Sequence, residues 1–196
     1  MSLDRAFRAT FRNFSTLFLL VASLTVPLHL AYSVAFRDVV AVGDLRSAIE
    51  RFPPHRKVHG VGRKRLHESR VAFIGLSLLE VALIPVLVRA TERVLEVDEQ
   101  GGVPSVLDAY RHVVQPRPRQ GIGFARVVAA VVVAITVAFL AERIGLLLTE
   151  PVPRTLDFLA AGLVRALSRA VGAPFALSAM ALESLRREAR QRPGTP

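Results

Sequence analysis

The sequence predicts an all-α, polytopic integral membrane protein of about four transmembrane helices with amphipathic interfacial helices, forming one membrane domain. Three observations lead there. Hydrophobic residues make up 52% of the chain and gather into a few long blocks, unlike the spaced periodic pattern of a soluble domain. The blocks approach the roughly 20 residues that a helix rising about 1.5 Å per residue needs to cross a bilayer core of about 30 Å. The net charge of +10, from 24 Arg and 2 Lys against 16 acids, falls mostly between the blocks, as charge flanking membrane spans does.

Residues 1–13 read as an interfacial helix. Leu3, Phe7, Phe11 and Phe14 fall on one helical face, while Arg5, Arg8 and Arg12 take the other. Residues 14–36 carry no formal charge and form the first span. The basic start resembles the n-region of a signal peptide, with Ser33–Val34–Ala35 as a cleavage motif. The apolar run exceeds the 7–15 residues of an h-region, so a retained helix is expected.

Residues 37–70 form a basic loop. Pro53–Pro54, Gly60 and Gly62 interrupt it, and Arg56, Lys57, Arg63, Lys64 and Arg65 are its candidate contacts to lipid headgroups. His55 and His59 stand four apart, but no carboxylate or cysteine accompanies them at ligand spacing, so no metal is expected. With no cysteine in the chain, thiolate sites and disulfides are excluded.

Residues 71–88 form the second span, and Glu80 is its only ionisable residue. In 89–123, a polar connection, Arg89 and Arg93 interleave with Glu92 and Glu96 at helical spacing, Gly101–Gly102 supplies a stop, and Ser105 caps the next helix. That helix carries an apolar stripe of Val106, Tyr110, Val113 and Val114. Residues 124–148 form the third span. The fourth, 156–182, either crosses the bilayer or lies along its surface, and a basic tail, 183–196, follows. Around the fourth helix, Asp157, Ala161, Arg165, Ser168, Arg169, Gly172 and Ala176 share one sector, with leucines over most of the rest.

A carboxylate in mid-span costs about 2.5–3.5 kcal/mol on insertion scales unless it is paired or protonated. Arg165 and Arg169, four apart on one face, are the expected partners, making Glu80, Arg165 and Arg169 an intramembrane charge cluster. One reading of this cluster is a buried pair that fixes helix register. The other is the centre of a small transporter or channel subunit. His29 reads as a packed interfacial histidine.

Aligning Ser2 on Ser105 gives Ser-x-x-x-Ala-(Phe/Tyr)-Arg at both places, through Ala6–Phe7–Arg8 and Ala109–Tyr110–Arg111. Equivalent interfacial helices separated by two spans would share one side of the membrane. With the N-terminus cytoplasmic, that side holds thirteen Lys/Arg against eleven opposite, a small margin under the positive-inside rule. The expected location is the cell (inner) membrane, with the N-terminus facing the cytoplasm.

SLDRAFRATFRNF and GGVPSVLDAYRHVV, each leading into a span, resemble segments of a loose bacterial family. It includes the membrane domains attached to some glycerophosphodiester phosphodiesterases and their stand-alone relatives. In that family a Gly/Pro-Ser-Leu-x-x-Ala-(Phe/Tyr)-Arg segment recurs before transmembrane helices, and six spans are common. The resemblance implies no catalytic residue here, because the phosphodiesterase chemistry resides in a domain that this chain does not carry.

No nucleophile elbow, zinc-protease helix or phosphate loop occurs in the sequence. No basic patch is interleaved with aromatics, which tells against nucleic acid. The sequence therefore points to a non-enzymatic structural or accessory subunit of a membrane assembly, without cofactor. Its expected partners are the lipid bilayer and either another protein or further copies of itself.

Overall fold

A computed structural model describes residues 3–40, 63–113, 124–149 and 156–191. Six α-helices account for almost all of them: α1 (Leu3–Arg12), α2 (Phe14–Ala35), α3 (Arg63–Glu99), α4 (Val106–Val113), α5 (Phe124–Leu148) and α6 (Asp157–Gln191). Among the described residues there is no strand. Four helices, α2, α3, α5 and α6, are long and apolar enough to cross a membrane. Much of the basic loop, including Arg56, Lys57, His55 and His59, lies outside the described residues, as do 114–123 and the end of the tail.

The order of elements repeats. Each half of the chain runs short amphipathic helix, long apolar helix, then a longer helix interrupted by a proline. Glu80 stands five residues before Pro85 in α3, and Arg169 five residues before Pro174 in α6. The two halves therefore place opposite charges at the same distance from the same helix-perturbing residue.

α6 is the centre of the bundle, packed on α2, α3 and α5. Of the four long helices it is the least hydrophobic, yet half of its apolar window is buried, against 11% for α5. Residues 156–182 thus pack within the helical bundle. The reason lies in the face that α6 turns inward. Ala161, Ala166 and Ala170 are fully buried, and Ser168 nearly so, while Leu163 and Leu167 remain exposed. In surroundings as apolar as leucine itself, helices associate through close backbone approach and polar contacts, which small residues permit.

Two glycines set that approach. A methyl group at Gly162 would meet Ser33 Oγ and the His29 carbonyl of α2. One at Gly172 would strike the Ala134 carbonyl and Ala138 of α5. Beyond Pro174 the inward face is apolar apart from the buried Ser178, and Leu177, Met180 and Leu182 join Leu17, Leu20, Val21, Leu87, Val88, Val94 and Leu95 in the main core.

α1 and α4 bracket the same end of α3. Arg5 pairs with Glu99 at 2.8 Å and Arg12 pairs with Asp98, while Asn13 Nδ2 donates to Asp98 at 2.9 Å. On α4, Asp108 accepts from Arg93 Nε at 2.9 Å. The two short helices resemble each other in detail. Ala6 and Ala109 are buried, Arg8 and Arg111 are exposed, and the aromatic between them points inward: Phe7 against Phe175, Tyr110 to the Leu20 carbonyl at 2.6 Å. Burial raises the pKa of the Tyr110 hydroxyl, which keeps it a neutral donor. The turn between α3 and α4 places Gly101 at φ +76°, where a side chain would be strained, and Ser105 Oγ accepts from the Asp108 amide at 3.5 Å.

These packings separate two classes of glycine. Gly172→Val is expected to lower thermal stability in detergent by about 1–3 kcal/mol, because the added carbons meet α5 backbone. Gly75, with nothing within 4 Å of a built Cβ, is the contrast. Gly75→Ala should be neutral or stabilising by up to about 1 kcal/mol, since alanine loses less backbone freedom in a helix. Thermal melts of both variants check this.

Candidate functional site

Glu80 lies near the middle of the apolar part of α3, and its two oxygens are engaged by different helices. Oε1 accepts from Nε2 of His29, on α2, at 2.8 Å. Oε2 is ion-paired with Arg169, on α6. The His29 side chain is fully buried, that of Glu80 is 17% exposed and that of Arg169 is 34% exposed. One carboxylate thus ties three helices together. With Nε2 donating, His29 Nδ1 is left a buried acceptor with no hydrogen-bond partner, and Ser33 Oγ nearby is likewise unpartnered.

Of the cluster expected from sequence, the structure brings Glu80 and Arg169 together and places Arg165 differently. Arg165 lies one turn before Arg169, over the Phe73 ring at 5.5 Å from its centroid, a cation–π geometry. It also interacts electrostatically with Glu142 of α5 and with Tyr32. One turn of helix, about 5.4 Å, separates the two guanidinium groups' backbone positions, and Glu80 stands level with only the second. His29 was missed. It reads as interfacial packing, whereas it is inside the bundle and donates to Glu80. His29 stands fifteen residues from Phe14 but only seven from Phe36, so its place in the uncharged 14–36 run did not mark it as lying inside the bundle.

Of the headgroup candidates, Arg56 and Lys57 lie outside the described residues. Arg63 begins α3, with its side chain outside the described set, and Lys64 is exposed. Arg65 is part of a clamp between α2 and α3. It donates to Asp38 through Nε at 3.0 Å and to the Ala35 carbonyl at 2.6 Å, and lies 4.8 Å from the Phe36 ring centroid. The reason is proximity: α2 ends and α3 begins at the same end of the bundle, so Arg65, in the first turn of α3, meets Asp38 just past α2.

From that clamp, polar groups lead inward. Tyr32 Oη and Ser69 Oγ are 2.8 Å apart, Arg165 follows, and the His29–Glu80–Arg169 triad comes next. Thr25 Oγ1, one turn beyond His29, donates to the Val21 carbonyl at 3.1 Å. Past this point leucine, valine and methionine dominate; the hydroxyl of Thr91 turns back to the Leu87 carbonyl at 2.8 Å, and that of Ser178 is buried without a partner. The polar column is one-sided.

No group of three or more His, Cys, Asp or Glu with metal-holding geometry occurs among the described residues. Comparison with protein-family models, curated proteins and solved structures finds no match to this chain.

Two measurements test the site. In a double-mutant cycle on thermal stability, Glu80→Gln and Arg169→Gln should be non-additive by about 0.5–3 kcal/mol, as contacting residues are, while Glu80→Gln with Arg165→Gln should lie closer to additive. For the clamp, the Arg65 guanidinium holds the Asp38 carboxyl below its ordinary value of 3.8. A depressed folded-state pKa stabilises the fold above the unfolded value, and that contribution fades as pH falls through the folded one. The small stability difference between wild type and Asp38→Asn should therefore persist at neutral pH, vanish on acidification below 3.8, and shrink in high salt.

Proposed function

We propose that the chain is a non-enzymatic integral membrane protein whose four long helices span the bilayer, and that it serves as a structural or accessory unit of a membrane assembly. The observation that carries this reading is the one-sided polar column. Linked polar groups reach Glu80 from the Asp38–Arg65 end, whereas beyond Thr25 the buried hydroxyls of Thr91 and Ser178 stand singly among leucine, valine and methionine. An ion or proton path needs exchangeable groups or water on both sides of its central site. A register-fixing pair needs only its own partners, and Glu80 has one on each oxygen.

A rival reading, a small transporter or channel subunit centred on Glu80 with Arg165 and Arg169, draws support from the buried charges themselves. Intramembrane ionisable residues commonly mark transport routes. The resemblance of two short segments to membrane domains of glycerophosphodiester phosphodiesterases is compatible with the accessory reading, because it implies no catalytic residue here. An inner-membrane location with α1 and α4 on the cytoplasmic side belongs to the same proposal.

Reconstitution separates the two. In liposomes the wild-type protein is expected to give proton and ion flux no greater than empty vesicles, and gentle extraction from native membranes should recover a stoichiometric protein partner or a defined homo-oligomer. Glu80→Gln should then reduce the yield of that assembly. Flux above background that Glu80→Gln abolishes, with folding intact, would establish the transporter instead.

A further inference from the structure

The bundle is not closed on every side. α6 packs closely on α2 and on α5, whereas α3 and α5 make little direct contact. Between them runs a groove of about 390 Å³, walled by α3 and α5 and backed by α2 and α6. That volume lies in the range of small-ligand sites, about 300–1,000 Å³. Val81, Leu87, Val131, Ile135 and Met180 represent its hydrocarbon lining, and Glu80 and Arg169 are the only charged residues in it among the described residues.

The two ends of the groove differ. Leu87 is seven residues beyond Glu80 on α3, and Met180 eleven beyond Arg169 on α6, both toward the end bracketed by α1. At helical rise these offsets amount to about 10–16 Å of wall below the charged pair, apolar except for Thr25, whose hydroxyl is bonded to the Val21 carbonyl. The charged end is incompletely satisfied. A guanidinium has five N–H donors, and among the described residues Arg169 engages Glu80 alone, with a third of its side chain exposed. Donors facing hydrocarbon with no acceptor are costly.

These constraints select an occupant. A plain alkyl chain fills the apolar end and leaves the donors bare. A phospholipid headgroup is held at the interface, away from mid-span. A charged head of either sign is attracted by one member of the Glu80–Arg169 pair and repelled by the other. An uncharged oxygen, carbonyl or hydroxyl, accepts from Arg169 without that conflict.

We propose that the groove between α3 and α5 is a binding site, entered sideways from the bilayer, for a membrane-dissolved amphiphile with an uncharged carbonyl or hydroxyl head and a long hydrocarbon tail. The head sits at Glu80–Arg169 and the tail runs toward Leu87 and Met180. The site rests on the membrane placement proposed above, but not on the accessory role.

The test uses the full chain in lipid nanodiscs with two photoreactive probes of equal length, a diazirine-bearing long-chain methyl ketone and the matching alkane. Adducts are located by peptide mass spectrometry. At limiting probe, the ketone should label the groove walls around Val81–Leu87 and Val131–Ile135 about tenfold more than the alkane, as one charge-assisted hydrogen bond would give. Val81→Trp and Ile135→Trp, at exposed wall positions that leave the Glu80–Arg169 pair intact, should remove the excess. Leu78 and Ile144, exposed and outside the groove, should be labelled equally by both probes, which reports membrane insertion independently.

Equal labelling of the groove by ketone and alkane overturns the proposal, as does an excess that survives both tryptophans. Cross-links between copies through the groove walls, with probe excluded, give the groove to a second chain and overturn it too. Failure to label Leu78 and Ile144 as well removes the membrane placement, and the site with it.

Discussion

An acid in the middle of an apolar helix must be neutralised where it stands, and the arrangement of this bundle follows from how that is done. Glu80 takes a guanidinium from α6 on one oxygen and an imidazole from α2 on the other. Only a helix that turns its charged, small-residue face inward can deliver Arg169 there, so α6 is drawn to the centre despite being the least hydrophobic of the four. Gly162 and Gly172 then let it approach α2 and α5 at backbone distance. The leucines at 163 and 167, which a hydropathy argument would bury first, are left facing outward. Breaking either half of such a pair strands a charge, which is why the cost of removing one partner exceeds the value of the pair itself.

The repeat of amphipathic helix, span and span gives this pairing a simple origin in the chain's organisation. Glu80 and Arg169 occupy matching places before Pro85 and Pro174, so the two second spans meet through opposite charges at one level. α1 and α4 then tie down one end of α3 by salt bridges of opposite sense: arginines on α1 reach acids of α3, and an acid on α4 reaches an arginine of α3. Such exposed pairs contribute little singly, about 0–1 kcal/mol each. Their effect is to set where the short helices sit, while Ala6, Phe7, Ala109 and Tyr110 supply the burial. The repeat is incomplete at one interface: α2 packs against α6, but the corresponding α5 does not pack against α3, and the groove is what remains.

Hydropathy located all four long helices because a run of about 20 apolar residues has few other stable forms, and both amphipathic helices were legible from 3.6-residue periodicity. The ends were legible where chemistry is local. Gly101 takes the positive φ that stops α3, and Ser105 accepts from an amide at the start of α4. The site was legible only in part. That Glu80 needs a cation follows from electrostatics, and Arg165 and Arg169 were the cations within reach of an apolar block. Choosing between them depends on the axial offset of α6 against α3, a distance of one helical turn that no residue count reveals.

The sequence by itself determined composition-driven features: helical class, the positions of the long apolar helices, and the need to compensate one embedded acid. Each follows from local rise, periodicity and the cost of a bare charge in hydrocarbon. Only the tertiary structure decided which arginine answers Glu80, that His29 shares the carboxylate, that Arg65 closes on Asp38, and that α3 and α5 stand apart. Those outcomes depend on the relative depth and rotation of helices distant in the chain, which are fixed by packing at Gly162 and Gly172 and by no local signal.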